Sequence, residues 1–131
     1  MSVKHNLTDT WQGRFAFPRR FDPISFTAYL HQAGKWLSGT VEEPGVRGLA
    51  VGEVLSATIS GKVVSDTAVF LKTYDTLNPG YDAVRYDGMV GDEGLEISGT
   101  WTIPGNWSGS FIMIRSGGLV MTQFLHEEER V

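Results

Sequence analysis

Apolar and polar residues alternate with period two in eight short segments of this chain, near residues 10–17, 24–31, 36–43, 54–63, 67–75, 82–90, 95–103 and 107–115. Gly, Pro, Asn or Asp falls between nearly all of them, the signature of strands joined by turns. Asn78-Pro79-Gly80, Gly91-Asp92-Glu93-Gly94 and Pro104-Gly105-Asn106 read as tight reversals. Short reversals join antiparallel neighbours, so the pattern predicts an all-β meander. No segment of ten or more residues carries a convincing helical stripe. The C-terminal "GLVMTQFLHEEERV" fits either a ninth strand or a turn of helix.

In each segment one parity is the apolar one: Trp11, Gly13, Phe15, Phe17; Ile24, Phe26, Ala28, Leu30; Leu37, Gly39, Val41; Leu55, Ala57, Ile59, Gly61; Phe70, Lys72, Tyr74; Val84, Tyr86, Gly88, Val90; Leu95, Ile97, Gly99, Trp101; Gly109, Phe111, Met113, Arg115. That parity is expected to face inward. It carries six glycines, each a cost to a strand because glycine packs nothing and loses more backbone entropy than any other residue. A sharply curved, closed sheet accounts for them, since strands coiling round a narrow interior need places to bend or to admit a large ring from a neighbour. The expected fold is therefore a single antiparallel up-and-down β-barrel of about eight strands, in preference to a two-sheet sandwich. Closure also removes the exposed edges of an open meander.

Composition narrows the function classes. At 131 residues, 41% hydrophobic and 20% charged, the chain suits one domain, 1–131, with the barrel over about 10–115 and residues 116–131 packing on the outside or at an interface. The net charge of −4 and the lack of any Lys/Arg run argue against a nucleic-acid partner. Without cysteine there is no disulfide framework and no thiolate metal site, which suits a reducing cytoplasm. "MSVKHNLTDT" has no apolar core region and no apolar run approaches spanning length, so neither export nor membrane insertion is expected. Asn6-Leu7-Thr8 and Asn106-Trp107-Ser108 then match the glycosylation acceptor by coincidence.

Closure puts the first and last strands side by side, and with them Trp11 of "TWQGRF" and Arg115 of "FIMIR". A first-strand tryptophan covered by a basic side chain from the end of the last strand resembles the pattern of the calycin superfamily, which includes lipocalins, avidins and fatty-acid-binding proteins. The guanidinium plane gains stacking and cation–π energy on the indole while its charge stays near water. The resemblance spans about residues 10–115. Asp9 stands where lipocalins and avidins have the glycine of Gly-x-Trp, and Arg115 is followed by Ser116 and Gly117 in place of the Arg-x-Tyr pair of fatty-acid-binding proteins. The phrases "VFLKTYD", "VRYDGMV" and "ISGTWTI" resemble those of uncharacterised small bacterial barrel proteins. The resemblance implies a barrel that binds a small molecule inside, and no named activity.

The inward parity is not wholly apolar. Lys72, Tyr74, Tyr86 and Arg115 sit on it, and Glu43 lies where its strand leaves the core. A buried charge must be paired or neutralised. In one reading Glu43 pairs with Lys72 or Arg115 near the barrel mouth and the tyrosines satisfy backbone groups. In the other, Lys72, Arg115, Tyr74 and Tyr86 converge on the polar head of an apolar or amphipathic, even anionic, ligand whose apolar part lies against Phe26, Phe70, Trp101 and Phe111. A small isomerase or lyase using Lys72, Tyr74, Tyr86 and Glu43 is the enzymatic alternative. A filled barrel serving only as a structural or interaction module is the third. No catalytic residue, cofactor or metal ligand is assigned: His5, His31 and His126 are far apart, and Gly61-Lys62-Val63 is no phosphate loop. Trp36 and Trp107 fall at strand starts, where packing at the rim is expected of them.

Two features remain. The loop "EPGVRGLAVGE", residues 43–53, combines glycines with Val46, Leu49 and Val51, as a lid or a plug over the barrel mouth would. On the outward parity, Val69, Leu71, Ile112 and Ile114 are apolar, a pattern that predicts cover from the C-terminal segment or from a second subunit in a homodimer.

Overall fold

Eight antiparallel strands hydrogen-bond in chain order, and the eighth returns to pair with the first, closing the sheet. The computed structural model describes residues 5–18, 22–44, 54–75, 83–105 and 107–116. The strands are β1 (Asp9–Ala16), β2 (Ile24–Ala33), β3 (Trp36–Pro44), β4 (Val54–Val64), β5 (Thr67–Tyr74), β6 (Val84–Val90), β7 (Glu96–Thr102) and β8 (Ser108–Arg115). Every boundary falls within two residues of the one that alternation predicts.

The closing register sets Trp11 opposite Arg115, Gly13 opposite Met113 and Phe15 opposite Phe111. The predicted apolar parity faces the interior: Trp11, Phe26, Ala28, Leu30, Leu37, Val41, Ala57, Ile59, Phe70, Val84, Tyr86, Ile97, Trp101, Phe111 and Met113 are all buried. The glycines on that parity serve two purposes. A methyl group at Gly13 would fall within the ring of Phe26, one at Gly88 would meet Phe111 and Ile97, and one at Gly109 would meet both the Ala16 carbonyl of the adjacent strand and the indole of Trp101. At Gly61 and Gly99 the obstacle is instead the backbone of the adjacent strand, at Val69 and Asp87. Rings fill the space left by the first group, and close strand approach uses the second.

Leu95 departs from the expectation. It was placed on the inward face at the start of a strand, but it is 40% exposed and precedes β7. The reversal over Gly91–Gly94 is the reason: Gly94 turns the chain with φ of +71°, and strand geometry resumes only at Glu96. The turn at Pro104-Gly105 also forms, with Gly105 at φ of +74°. The reversal expected at Asn78-Pro79-Gly80, the 45–53 part of the apolar loop and the segment after Ser116 lie outside the described residues. Of the outward apolar positions, Leu71 is exposed, while Val69, Ile112 and Ile114 are half-buried.

The two ends of the barrel differ in their connections. At one end β2 turns into β3 across Gly34-Lys35, β4 into β5 across Ser65-Asp66, and β6 into β7 across residues 91–95. We call this the tight end. Two-residue hairpins demand positive φ, which Gly34 supplies at +61° and Ser65 adopts at +56°. The other, loop end carries the connections 17–23, 45–53, 75–83 and 103–107, of which the first three are longer than any at the tight end.

Candidate functional site

The tight end is stoppered by packing. Leu7, just before β1, is completely buried, together with Trp11, Val63, Ala68, Ile97 and Met113. Trp11 Nε1 donates to the Leu7 carbonyl at 3.0 Å, and the Leu7 amide donates to Oε1 of buried Gln32 at 2.9 Å. Gln32 Nε2 in turn donates to the Gly34 carbonyl, so both ends of that buried amide are hydrogen-bonded. Leu7 and Gln32 were both missed by the sequence reading. Gln32 simply continues the inward parity of Leu30 past the predicted strand end, whereas nothing in the periodicity marks Leu7.

Arg115 belongs to this end. Its guanidinium lies 5.5 Å from the centre of the Trp11 ring. Its Nε donates to Asp9 Oδ2 at 2.9 Å, Nη1 to the Gly94 carbonyl at 3.2 Å, and Nη2 to the carbonyls of Asn6 at 2.8 Å and Thr8 at 3.1 Å. The hydrogen bond from Arg115, aided by that from the Thr10 amide, holds the Asp9 carboxyl below the usual carboxylate range. Every nitrogen of the side chain is committed to tying the N-terminal residues and the β6–β7 turn across the seam. A recess lined by His5, Ser65, Asp66 and Asp92 near these turns has room for about one water molecule.

The other polar candidates meet towards the loop end. Because odd-numbered strands finish there, Lys72 and Tyr74 at the end of β5 and Glu43 at the end of β3 share a level of the barrel. Even-numbered β8 finishes at the tight end, which removes Arg115 from the group. Lys72 Nζ donates to Glu43 Oε1 at 2.8 Å, with both side chains 2% exposed, and the Tyr74 hydroxyl donates to Glu43 Oε2 at 3.0 Å. Of the two pairings foreseen for Glu43, the structure makes the one with Lys72. Four rings surround the ammonium: Phe15 at 4.6 Å, Tyr74 at 4.8 Å, Tyr86 at 5.3 Å and Phe26 at 5.7 Å from ring centre to nitrogen. Phe15 had been counted as core alone.

Burial is the main influence on the three titrating groups beside Glu43. It pushes the phenols of Tyr74 and Tyr86 well above the ordinary tyrosine value, with the charge on Lys72 opposing. For Lys72 burial opposes the charge, but negative charge at Tyr86, Glu43 and Tyr74 outweighs it and raises the amine. At neutral pH the phenols are protonated, so Glu43 supplies that attraction. The result is a neutral ion pair with hydroxyls attached, inside an aromatic shell.

Phe70, Phe111 and Trp101 form the shell's outer support. Phe70 stacks on Tyr86 with centroids 5.0 Å apart, and Phe111 meets Tyr86 edge-on at 4.9 Å. Trp101 packs edge-on against Phe15 at 6.1 Å, and its Nε1 donates to the Ala16 carbonyl at 2.9 Å. Above this layer the packing loosens. Phe17, Ile24, Tyr74, Ile103 and Trp107 are partly buried against the core, and all five lie at the loop end. Phe17 and Trp107 are 5.2 Å apart, and both lie near Trp101. Phe17, Ile24, Ile103 and Trp107 form an apolar rim at the end where Tyr74 and Glu43 also lie.

No protein-family model matches the chain, and no curated protein is significantly similar to it in sequence. The class that the geometry defines is a closed eight-stranded antiparallel barrel with a polar cluster in its interior.

Proposed function

We propose that this is a calycin-like barrel that binds a small apolar or amphipathic molecule at its loop end, with the apolar part against Phe17, Ile24, Ile103 and Trp107 and a polar group near Tyr74. The observation that carries this reading is that Phe17, Ile24, Tyr74, Ile103 and Trp107, the partly buried members of the core among the described residues, lie at the same end as Glu43 and Lys72, the only charged residues buried among those described. Apolar contact would supply most of the affinity, at roughly 25 cal/mol per Å² buried. Since Glu43 already neutralises Lys72, an uncharged hydrogen-bonding head suits this end better than an anion, which would have to displace the carboxylate. In this reading Arg115 serves the seam at the opposite end and lies apart from the ligand. The apolar-in, polar-out alternation supports a barrel bathed in water, the reverse of a membrane barrel.

A second reading has its own support. Rings seated over Gly13, Gly88 and Gly109 occupy the space that an open lumen would need, as expected of a filled barrel acting as a structural or interaction module. Native mass spectrometry of protein purified from its source cells, joined to a fluorescence titration with the neutral probe N-phenyl-1-naphthylamine, separates the two. Ligand binding predicts a co-purified small molecule and a saturable titration that Trp107→Ala weakens by roughly tenfold. A clean apo mass together with no saturable probe binding would overturn it in favour of the filled module.

A further inference from the structure

We infer that the middle layer of the barrel is a binding site for a primary alkylammonium group, and that the chain supplies the occupant itself as the side chain of Lys72. The site is assembled from five strands: Phe15 on β1, Phe26 on β2, Glu43 on β3, Tyr74 on β5 and Tyr86 on β6. Aromatic rings present the negative region of their quadrupole to a cation, and a box of several rings closed by a carboxylate is the arrangement by which proteins hold organic ammonium ligands. A structural ion pair needs one carboxylate; it does not need four rings. Lys35, exposed at the tight end, shows the ordinary case, a lysine over the single ring of Trp36 at 5.2 Å.

Three of the rings have supports apart from the lysine. Phe70 and Phe111 brace Tyr86, Trp101 and Phe17 brace Phe15, and a glycine, Gly13, seats Phe26. Truncating Lys72 at Cβ therefore leaves a recess with the outline of the missing atoms, three methylenes and an ammonium, lined by ring faces and an unpaired carboxylate. The chemical class it takes is a short primary alkylammonium, with n-propylammonium the closest match. This inference concerns the layer beneath the rim and stands whether or not the rim binds a molecule of its own.

The test is the thermal unfolding midpoint of Lys72→Ala with n-propylammonium chloride, against sodium chloride of equal ionic strength and against n-propanol. The expected result is a saturable rise, about 5 °C at tenfold excess over the dissociation constant, with an optimum at three carbons. Neither n-propanol nor the wild-type protein shows it. Lys72→Met, which refills the recess without the charge, shows no rise either. Should Lys72→Ala fail to fold, recovery of its β-sheet circular dichroism on refolding with n-propylammonium gives the same reading. Lys72→Ala combined with Glu43→Gln, relieved of the unpaired charge, provides a folded background in which rescue persists but is weaker. Absence of saturable rescue in both backgrounds, or equal rescue by n-propanol, overturns the inference.

Discussion

The tight end and the loop end are built from the same eight strands yet solve opposite problems. At the tight end, two-residue hairpins bring the strand termini close, Leu7 is drawn fully inside, and Arg115 spends all its nitrogens on Asp9 and three backbone carbonyls. A charge there lies at the wet edge and ties the ends of the chain. At the loop end, a charge lies inside, matched by a single carboxylate and four rings, beneath apolar residues that are only partly covered. One cation closes the fold; the other is enclosed by it. The difference teaches that a basic residue on the inward parity is read by which strand end it occupies. In a meander, strand number alone decides that.

If this contrast is right, substitutions at the two ends should differ in size. Trp11→Ala is expected to cost the most, about 4 kcal/mol, because a fully buried indole, its hydrogen bond to Leu7 and its stacking with Arg115 are lost together. Trp107→Ala should cost about 1–2 kcal/mol, in keeping with its partial burial. Urea denaturation of the pair reads the difference directly, and equal losses would erase the distinction between the fully buried end and the partly buried one. Glu43→Gln comes next, at about 3 kcal/mol, since it strands the ammonium of Lys72 in an apolar shell. Adding Lys72→Met to that variant should restore stability to within about 1 kcal/mol of the wild type. An additive double variant would mean that the two groups do not act as a pair.

The smallest effect is one of pH. The folded-state pKa values of Lys72, Tyr74 and Tyr86 are all raised, so each contributes stability that is complete below its unfolded value and is lost as pH climbs towards the folded one. The urea midpoint should hold steady from about pH 6 to 9 and fall above about pH 10, where the unfolded chain begins to release these protons. Tyr74→Phe should make that fall shallower, whereas Asp9→Asn at the tight end should leave it unchanged. Asp9, with its lowered pKa and half-open position, acts on the acid side instead: its small contribution is present above about pH 4 and disappears as pH drops through the folded value.

The barrel was legible because burial on one side of each strand forces alternation, and the six inward glycines declared curvature that an open sheet would not need. The seam followed from closure, and Trp11 with Arg115 from the seam. Lys72, Glu43, Tyr74, Tyr86 and Phe26 were also legible as a polar and aromatic group, because each stands on the inward parity or at its exit. The misassignment of Arg115 to that group came from treating parity as sufficient; parity gives the face and says nothing of height along the barrel axis. Leu7 was hidden because a single residue outside a strand has no period, and Leu95 misled because a five-residue reversal consumed one position of apparent alternation. The rim of Phe17, Ile24, Ile103 and Trp107 could not be distinguished from ordinary core, since partial burial at one end is a property of connection lengths, not of side-chain pattern.

Seven of the eight ladders join strands that follow one another directly, and only the pairing of β1 with β8 spans the chain from Trp11 to Arg115. During synthesis β1 therefore leaves the ribosome first and waits for the last strand to be made, with one flank of its backbone lacking a partner. Local hairpins can zip early, but the final join carries the largest loop-closure entropy and belongs late on the pathway. Until it forms, two bare strand edges offer themselves to other nascent copies, so the window for misassociation or strand exchange is set by how quickly a single ladder closes.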